Sequence, residues 1–478
     1  MLTALARGSS QAAQLTIVIV AARFLSPAEF GVIALVAVIA LMVLGIAEAG
    51  SADFIVSWQG NERVIDACLV LGVLAGAVVA LGGVALAYAT PLFGHVTSDL
   101  VALSALWTCI AIVASGQGGL LVRAERVELK SAVVILSEVI GITVALLSLF
   151  RGQGVLSLIY GKLAQQGTEL VVLSAINRRL PIFVPSHQLV RPVVQYCQHI
   201  LATRALSVTR ASVAPLLVGA FLGPAAVGLY RAGERLIGAF AEVVGEPVRM
   251  VAWLLFRRAA RIASFNGQPV TSAISSASAI FLPVVLALAV PAFILVGIFA
   301  DELVVFLLGE PWRGAGAIAA VLAVARLLTV PASITDVVLS LTGQIKRLPR
   351  VSLINCIVAI GVVAITAQFG VLAVAYGEVF AGLIAFGTSV WLQSNAGVNW
   401  AQVARLSAFV LPALAVAIAV ALTAWWTIPS GQVPEIVRAV LSGFASLCAY
   451  CLVILAVRPK AMREVLTLWI DQRAAVRA

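Results

Sequence analysis

Arg204, Arg210, Arg231, Glu234 and Arg235 stand inside two long apolar runs, residues 197–222 and 228–250, where charge is out of place. An ionised side chain at the centre of a membrane helix costs about 2.5–3.5 kcal/mol on insertion scales, so it normally faces a cavity or a partner. Arg231 and Arg235 are four positions apart and share a helix face. Glu234 is three positions from Arg231 and offsets part of its charge, but four arginines against one glutamate leave an excess of positive charge. That excess suits an anionic ligand such as a pyrophosphate, because the guanidinium fork matches phosphate oxygens. The blander reading has Arg231 and Arg235 snorkelling to a nearby interface and Arg204 pairing locally. Arg210, near the middle of its run, fits that reading least. Further ionisable residues lie in or near apolar runs. Lys162 and Glu169 are seven apart on roughly one face, and Arg326 and Asp336 share one run. Glu48, Glu138 and Glu378 are isolated acids, for which pairing with an arginine is the ordinary fate.

Enzymatic constellations are missing from the sequence. His95, His187 and His199 have no ligand spacing, so no metal site is expected. Cys448 and Cys451 form a CxxC inside an apolar stretch without helper residues, and all six cysteines read as small packing residues. No G-x-x-x-x-G-K-[ST] pattern occurs, which removes that route to ATP hydrolysis.

The elements that must position these charges follow from composition. Hydrophobic residues make up 62% of the 478 and charged residues 11%, with mean hydropathy +1.10. Such a chain cannot cover a water-facing surface, since soluble domains are about 25% charged. In lipid every backbone group needs an internal partner, which leaves helices or a closed barrel. Runs such as GVIALVAVIALMVLG lack the alternation of a barrel strand. The expected fold class is therefore an all-α polytopic membrane protein. Fourteen spans are expected, at 9–25, 30–49, 67–89, 99–121, 132–150, 155–176, 197–222, 228–250, 270–299, 314–342, 351–369, 371–392, 405–426 and 435–457; misreading one pair would leave twelve. No small-residue cleavage site follows the first run, so it reads as a span and not a signal peptide.

Charge fixes the expected orientation. With the N-terminus inside, 21 of the 31 basic residues fall in cytoplasmic segments and 4 in segments on the other side. Both termini are then cytoplasmic. The net charge of +10 is scattered between apolar runs and forms no basic domain, so no nucleic-acid partner is expected. The tail after Val457 reads as either an interfacial amphipathic helix or a short basic surface tail.

A weak repeat divides the chain. FLSPAEFG (Phe24 to Gly31) and FLGPAAVG (Phe221 to Gly228) align Pro27 with Pro224 and Gly31 with Gly228. Each follows an apolar run and precedes the next, the pattern of a tight interfacial turn. The copies are six spans apart, so both enter the membrane in the same direction, as parallel repeats about an axis along the membrane normal do. The expected organisation is a six-helix lobe over 1–190, a second over 191–395, and two additional helices with a basic tail over 396–478, the lobes facing a central cleft.

These residues resemble a known family. FLSPAEFG is similar to the turn after the first span of polysaccharide exporters in the multidrug/oligosaccharidyl-lipid/polysaccharide (MOP) flippase superfamily. VGLYRAGERLIGAFAEVVGEPVRMVAWLLFRRAARI (227–262) resembles their eighth span and the basic loop behind it. LLGEPWRGAGAIAAVLAVA (307–325) resembles their approach to span ten. The resemblance implies an oligosaccharide flippase of the Wzx kind, not an enzyme. It would move polyprenyl-pyrophosphate-linked sugars from the inner to the outer leaflet of a bacterial cytoplasmic membrane, for O-antigen, capsule or exopolysaccharide. It also implies no cofactor beyond a proton or sodium gradient, for which Glu48, Glu138 or Glu378 would be a carrier. The implied partners are membrane lipids, a polysaccharide polymerase and chain-length machinery. Three alternatives remain: a multidrug or cation exporter, which needs acidic cavity residues; a lipid II-type flippase with the same phosphate chemistry; and a membrane-embedded polymerase or ligase, which needs a large periplasmic loop.

Overall fold

Twenty apolar residues buried in hydrocarbon satisfy their own backbone only as a helix. In the computed structural model of the chain, helices are the only regular structure among the described residues, 14, 16–48, 50–89, 95–179, 185–429 and 433–457. The tail after Val457 and the start of the expected first span lie outside them.

The chain divides into two compact units, Met1–Arg231 and Ala232–Ala478. After a helical run at 16–24, the first unit contains α1 (Pro27–Glu48), α2 (Ser51–Ser57), α3 (Glu62–Ala89), α4 (His95–Arg123), α5 (Val127–Phe150), α6 (Leu156–Asn177), α7 (His187–Leu222) and the first turns of α8 (Pro224–Phe265). The second holds the rest of α8, then α9 (Val270–Ile298), α10 (Ala300–Leu308), α11 (Gly314–Thr329), α12 (Thr335–Leu341), α13 (Leu348–Thr366), α14 (Val371–Asn395), α15 (Trp400–Ser407), α16 (Val410–Thr427) and α17 (Glu435–Val457). The contact boundary at Arg231 and the repeat boundary expected near residue 190 measure different things. α7 lies between the two boundaries and packs on α1, α2 and α3, which places it in the first unit. The expected segment 396–478 falls inside the second unit.

Among the described residues, eleven segments are long and apolar enough to cross a membrane. α6 and α8 occupy two further expected spans; they are long enough but carry Lys162 and Glu169, and Arg231, Glu234 and Arg235. Local signals fix the ends. Ser26 and Glu29 form a capping box at the start of α1: the Glu29 amide donates to Ser26 Oγ at 3.3 Å and the Ser26 amide to Glu29 Oε2 at 2.8 Å, with Pro27 at the first helical position. Asn399 Oδ1 accepts from the Gln402 amide at 3.1 Å and starts α15.

Small residues let helices touch backbone to backbone, the usual packing device in lipid. In α5 and α6 a Cβ on Gly141 would lie 2.9 Å from the Gly161 carbonyl oxygen, and one on Gly161 2.8 Å from that of Gly141. In the first unit Gly45 receives Val208, and Gly219 receives Leu35, so α1 and α7 pack along one stripe. In the second unit one span is discontinuous: a 3-10 turn, Val330–Ile334, containing Pro331, separates α11 from α12. Fully buried Gln393 of α14 secures the break, donating from Nε2 to the Pro331 carbonyl at 2.9 Å and to Thr335 Oγ1 at 2.8 Å. A carbonyl freed by a helix break must find such a donor when water is excluded.

Candidate functional site

The two repeat turns meet. A Cβ on Gly31 would overlap the Pro224 carbonyl, standing 2.5 Å from its carbon, and would lie 3.0 Å from the Gly228 nitrogen. A Cβ on Gly228 would overlap the Pro27 carbonyl, 2.8 Å from its carbon. Residue 31 faces 224 and residue 228 faces 27, the reciprocity of a contact about a two-fold axis. All four residues belong to the first unit. The backbones touch because neither glycine carries a side chain.

From this contact α7 runs back through the first unit, and Val208 and Gly219 mark the face that packs on α1. Arg204 is on the near side of that stripe and its guanidinium reaches Asp53 of α2 at 3.1 Å, both side chains about half exposed. Arg210 is two residues past Val208, about 200° around the helix at 100° per residue, so it points away from α1. It is exposed and makes no hydrogen bond or ion pair with any described residue. Twelve residues separate it from Leu222, about 18 Å along the axis, which places it mid-span. Pro215 lies just over one turn further on and lacks the N–H that would ordinarily bond the Ala211 carbonyl beside Arg210.

Arg231 ends the first unit half-buried, and Arg235 opens the second exposed. Glu234 is drawn the other way. Gly233 lets α8 press on α11, where a Cβ would lie 3.0 Å from the Ala315 carbonyl oxygen, and Glu234 then meets Arg326 of α11 at 3.7 Å. Arg326 lines a cavity of about 100 Å³ with Ala241, Gly245, Phe293, Thr329 and Ser333, immediately before the 3-10 break. An ion pair, a small cavity and a broken helix therefore coincide in the second unit, an arrangement that membrane carriers use to hold polar or charged groups. Asp336 follows the break in α12, half-buried, and is not drawn into that pair.

The other candidates are spread through the first unit, apart from Glu378, which is half-buried on α14. Glu48 accepts a hydrogen bond from Ser115. Glu138 of α5 is 6% exposed, and its charge and that of Lys130 both act on Glu169 of α6. Lys162 donates to Gln165 at 3.0 Å. Glu169 thus takes part in a polar seam between α5 and α6, whereas this Lys162 bond stays within α6.

Sequence reading missed a network at the end of the first unit expected to face the cytoplasm. Arg123 bonds Glu62 at 2.8 Å and the carbonyls of Ile55 and Trp58; Arg179 bonds Glu62 at 2.7 Å and Asp66 at 3.4 Å. Gln117 donates to the Arg179 carbonyl and Asn177 to Gln117, which joins the ends of α2, α3, α4 and α6. No periodicity links residues 60 or more positions apart, so only the fold reveals it.

A family model described as polysaccharide biosynthesis protein matches residues 20–317. No curated protein matches by sequence. Among solved structures the chain is similar to the lipid II flippase MurJ in an inward closed conformation, with a TM-score of 0.72 at 13% identity over 96% of this chain and 99% of that one. It is also similar to an inward-facing multidrug resistance MATE family transporter of the MOP superfamily, with a TM-score of 0.53 at 16% identity over 83% of this chain and 94% of that one. At these identities the likeness is one of fold.

Proposed function

From the premise that this chain belongs to the polysaccharide biosynthesis protein family and has the fold of MOP-superfamily flippases, we propose that it carries a polyprenyl-pyrophosphate-linked oligosaccharide across a bacterial cytoplasmic membrane, from the inner to the outer leaflet, for surface polysaccharide. The observation that carries this reading is Arg210, a cation in mid-span that points away from its packing partner and is not neutralised by any described residue. A permanent guanidinium placed there is stabilised by a wet cavity or an anion. Pyrophosphate supplies two phosphates for its planar fork, while the sugar occupies water and the prenyl chain stays in lipid. Arg204 is half exposed and held by a single carboxylate, so it can exchange Asp53 for phosphate at small cost, since such pairs contribute only about 0–1 kcal/mol.

Transport needs no bond made or broken, and the reading assigns the chain no catalysis and no cofactor. Coupling to a proton or sodium gradient is assigned to a carboxylate, with Glu138 foremost because it is the most buried acid of the candidates. Both termini face the cytoplasm in this reading, and the repeat turns face the other side. A cationic-drug exporter would require an excess of acid where Arg210 stands.

The test is the leaflet distribution of lipid-linked oligosaccharide in cells lacking the gene, complemented by wild type, Arg210→Gln or Arg204→Gln. Accumulation on the cytoplasmic face, rescued by wild type and weakly or not at all by either variant, is expected. Full rescue by Arg210→Gln sinks the assigned site. Units that reach the outer face but remain unpolymerised point to an enzyme acting after flipping. Accumulation of a cell-wall precursor in place of a polysaccharide unit, read by mass, points to the lipid II-type substrate.

A further inference from the structure

The 42 residues of α8 amount to about 63 Å at 1.5 Å each, roughly twice the thickness of a hydrocarbon core. Its second half must therefore leave the apolar layer. Over 251–265 one face is in the core of the second unit: Ala252 and Phe256 are fully buried and Ala263 is 2% exposed, with the Phe256 ring edge-on to Phe281 at 5.6 Å. The opposite face is not polar. Val251, Leu254, Ile262 and Phe265 project from it, Phe265 being 92% exposed, with exposed Arg258 and Arg261 among them and Arg257 on the flank.

The core beneath this arm also receives Leu348 and Val351 at the start of α13, and Trp400 and Leu406 of α15. Those segments bring exposed Lys346, Arg347, Arg350 and Arg405 to the same end of the unit. With the three arginines of the arm they make seven cations, and the sequence has no Asp or Glu at 247–300, 337–377 or 379–434 to offset them. A merely solvated basic end would account for the arginines. It would not account for leucine, isoleucine and phenylalanine interleaved with them on the outward face, which is the composition of a helix lying at a headgroup boundary.

We propose that this end of the second unit is a docking surface for anionic phospholipid of the leaflet it faces. The apolar side chains of the arm enter the acyl boundary, and Arg257, Arg258 and Arg261 fork onto phosphodiester oxygens. No residue of this surface belongs to the Arg210 site, and its test uses no oligosaccharide.

The probes are phosphatidylglycerol and phosphatidylcholine added to the purified full-length protein, with retained lipid counted by native mass spectrometry. Each basic residue near a membrane surface contributes roughly a factor of five to anionic-lipid affinity, so replacing all three with glutamine weakens phosphatidylglycerol retention by about a hundredfold. Wild type is expected to retain phosphatidylglycerol over phosphatidylcholine, and the triple variant to lose that preference. Phe265→Ser, at a site too exposed to disturb folding, is expected to weaken retention of both lipids. Wild type that shows no preference, or a triple variant that keeps it, overturns the assignment. So does displacement of the lipid by millimolar inorganic phosphate with Phe265→Ser behaving as wild type, because the surface would then be a general anion site without a membrane component.

Discussion

Replacing Gly31 with alanine adds one carbon at the meeting of the repeat turns. The new Cβ would overlap the Pro224 carbonyl oxygen and lie 2.5 Å from its carbon, where ordinary contact begins at 3.4 Å, so the turns must part by more than about 1 Å. No rotamer change can relieve the clash, since the opposing atoms are backbone. Overpacking of this kind costs about 1–3 kcal/mol. On an unopposed helix the same change has the other sign, because alanine is favoured over glycine by up to about 1 kcal/mol. Gly72 in α3 is such a case, with nothing within 4 Å of where a Cβ would stand. Thermal unfolding of the purified protein decides between them. Gly31→Ala and Gly228→Ala should each lower the midpoint by about 2 °C or more, and Gly72→Ala should leave it unchanged or raise it. A penalty of about 1–3 kcal/mol on the joined turns also shifts any equilibrium between joined and parted states some 5- to 150-fold toward parting, so both variants should transport at an altered rate. If Gly31→Ala and Gly228→Ala melt at or above wild type, the turns are not held by backbone contact and the reciprocity has no energetic content.

The Glu234–Arg326 pair is partly buried, so removing one partner leaves a charge exposed to a poor solvent. Arg326→Gln and Glu234→Gln should each cost about 1–3 kcal/mol, while the double variant should cost less than their sum; additive losses in a thermal double-mutant cycle would mean the pair is not coupled. Glu302 in α10 has one carboxylate oxygen buried without a hydrogen-bond partner. Burial first, then the charges of Asp301 and Glu435, push its pKa up, with Arg313 opposing them. Its charged form is therefore disfavoured in the folded state, and the penalty present at neutral pH is relieved as pH falls through the raised pKa. Glu302→Gln should raise the melting midpoint at pH 7, by an amount that shrinks toward pH 4.5; a gain that persists unchanged at pH 4.5 would assign the effect to shape instead of charge.

The spans were legible in the sequence because long apolar runs admit only one backbone solution, and α3, α9 and α17 lie within a few residues of where hydropathy puts them. The break after Thr329 was not, since Pro331 lies in a run whose hydropathy is continuous and only Gln393, 62 positions away, shows that the break is supported. The repeat turns were visible as a motif, but the motif does not say that the copies touch. Among the site residues, the isolation of Arg210 followed from its mid-run position. The partner of Glu234 did not: sequence spacing nominated Arg231, one turn away, whereas the structure adds Arg326, which no local periodicity connects to it. Arg123 and Arg179 lie at helix ends and read as ordinary orienting charge, and only the fold gathers them on Glu62.

The reciprocal turn contact also bears on which positions of the repeat must match. A surface that meets its own copy about a two-fold axis is what two identical chains form when they pair. Here both copies lie in one chain, so a side chain at either glycine meets the backbone of the other copy's proline, and each turn holds its partner's glycine in place. The rest of the turn is under no such mutual constraint: Ser26 and Glu29 form a capping box in the first copy, whereas Gly223 and Ala226 stand at the matching places in the second and have no polar side chain with which to form one. The two glycines are thus the part of the turn where the symmetry stays strict, because each is fitted to the other copy's backbone.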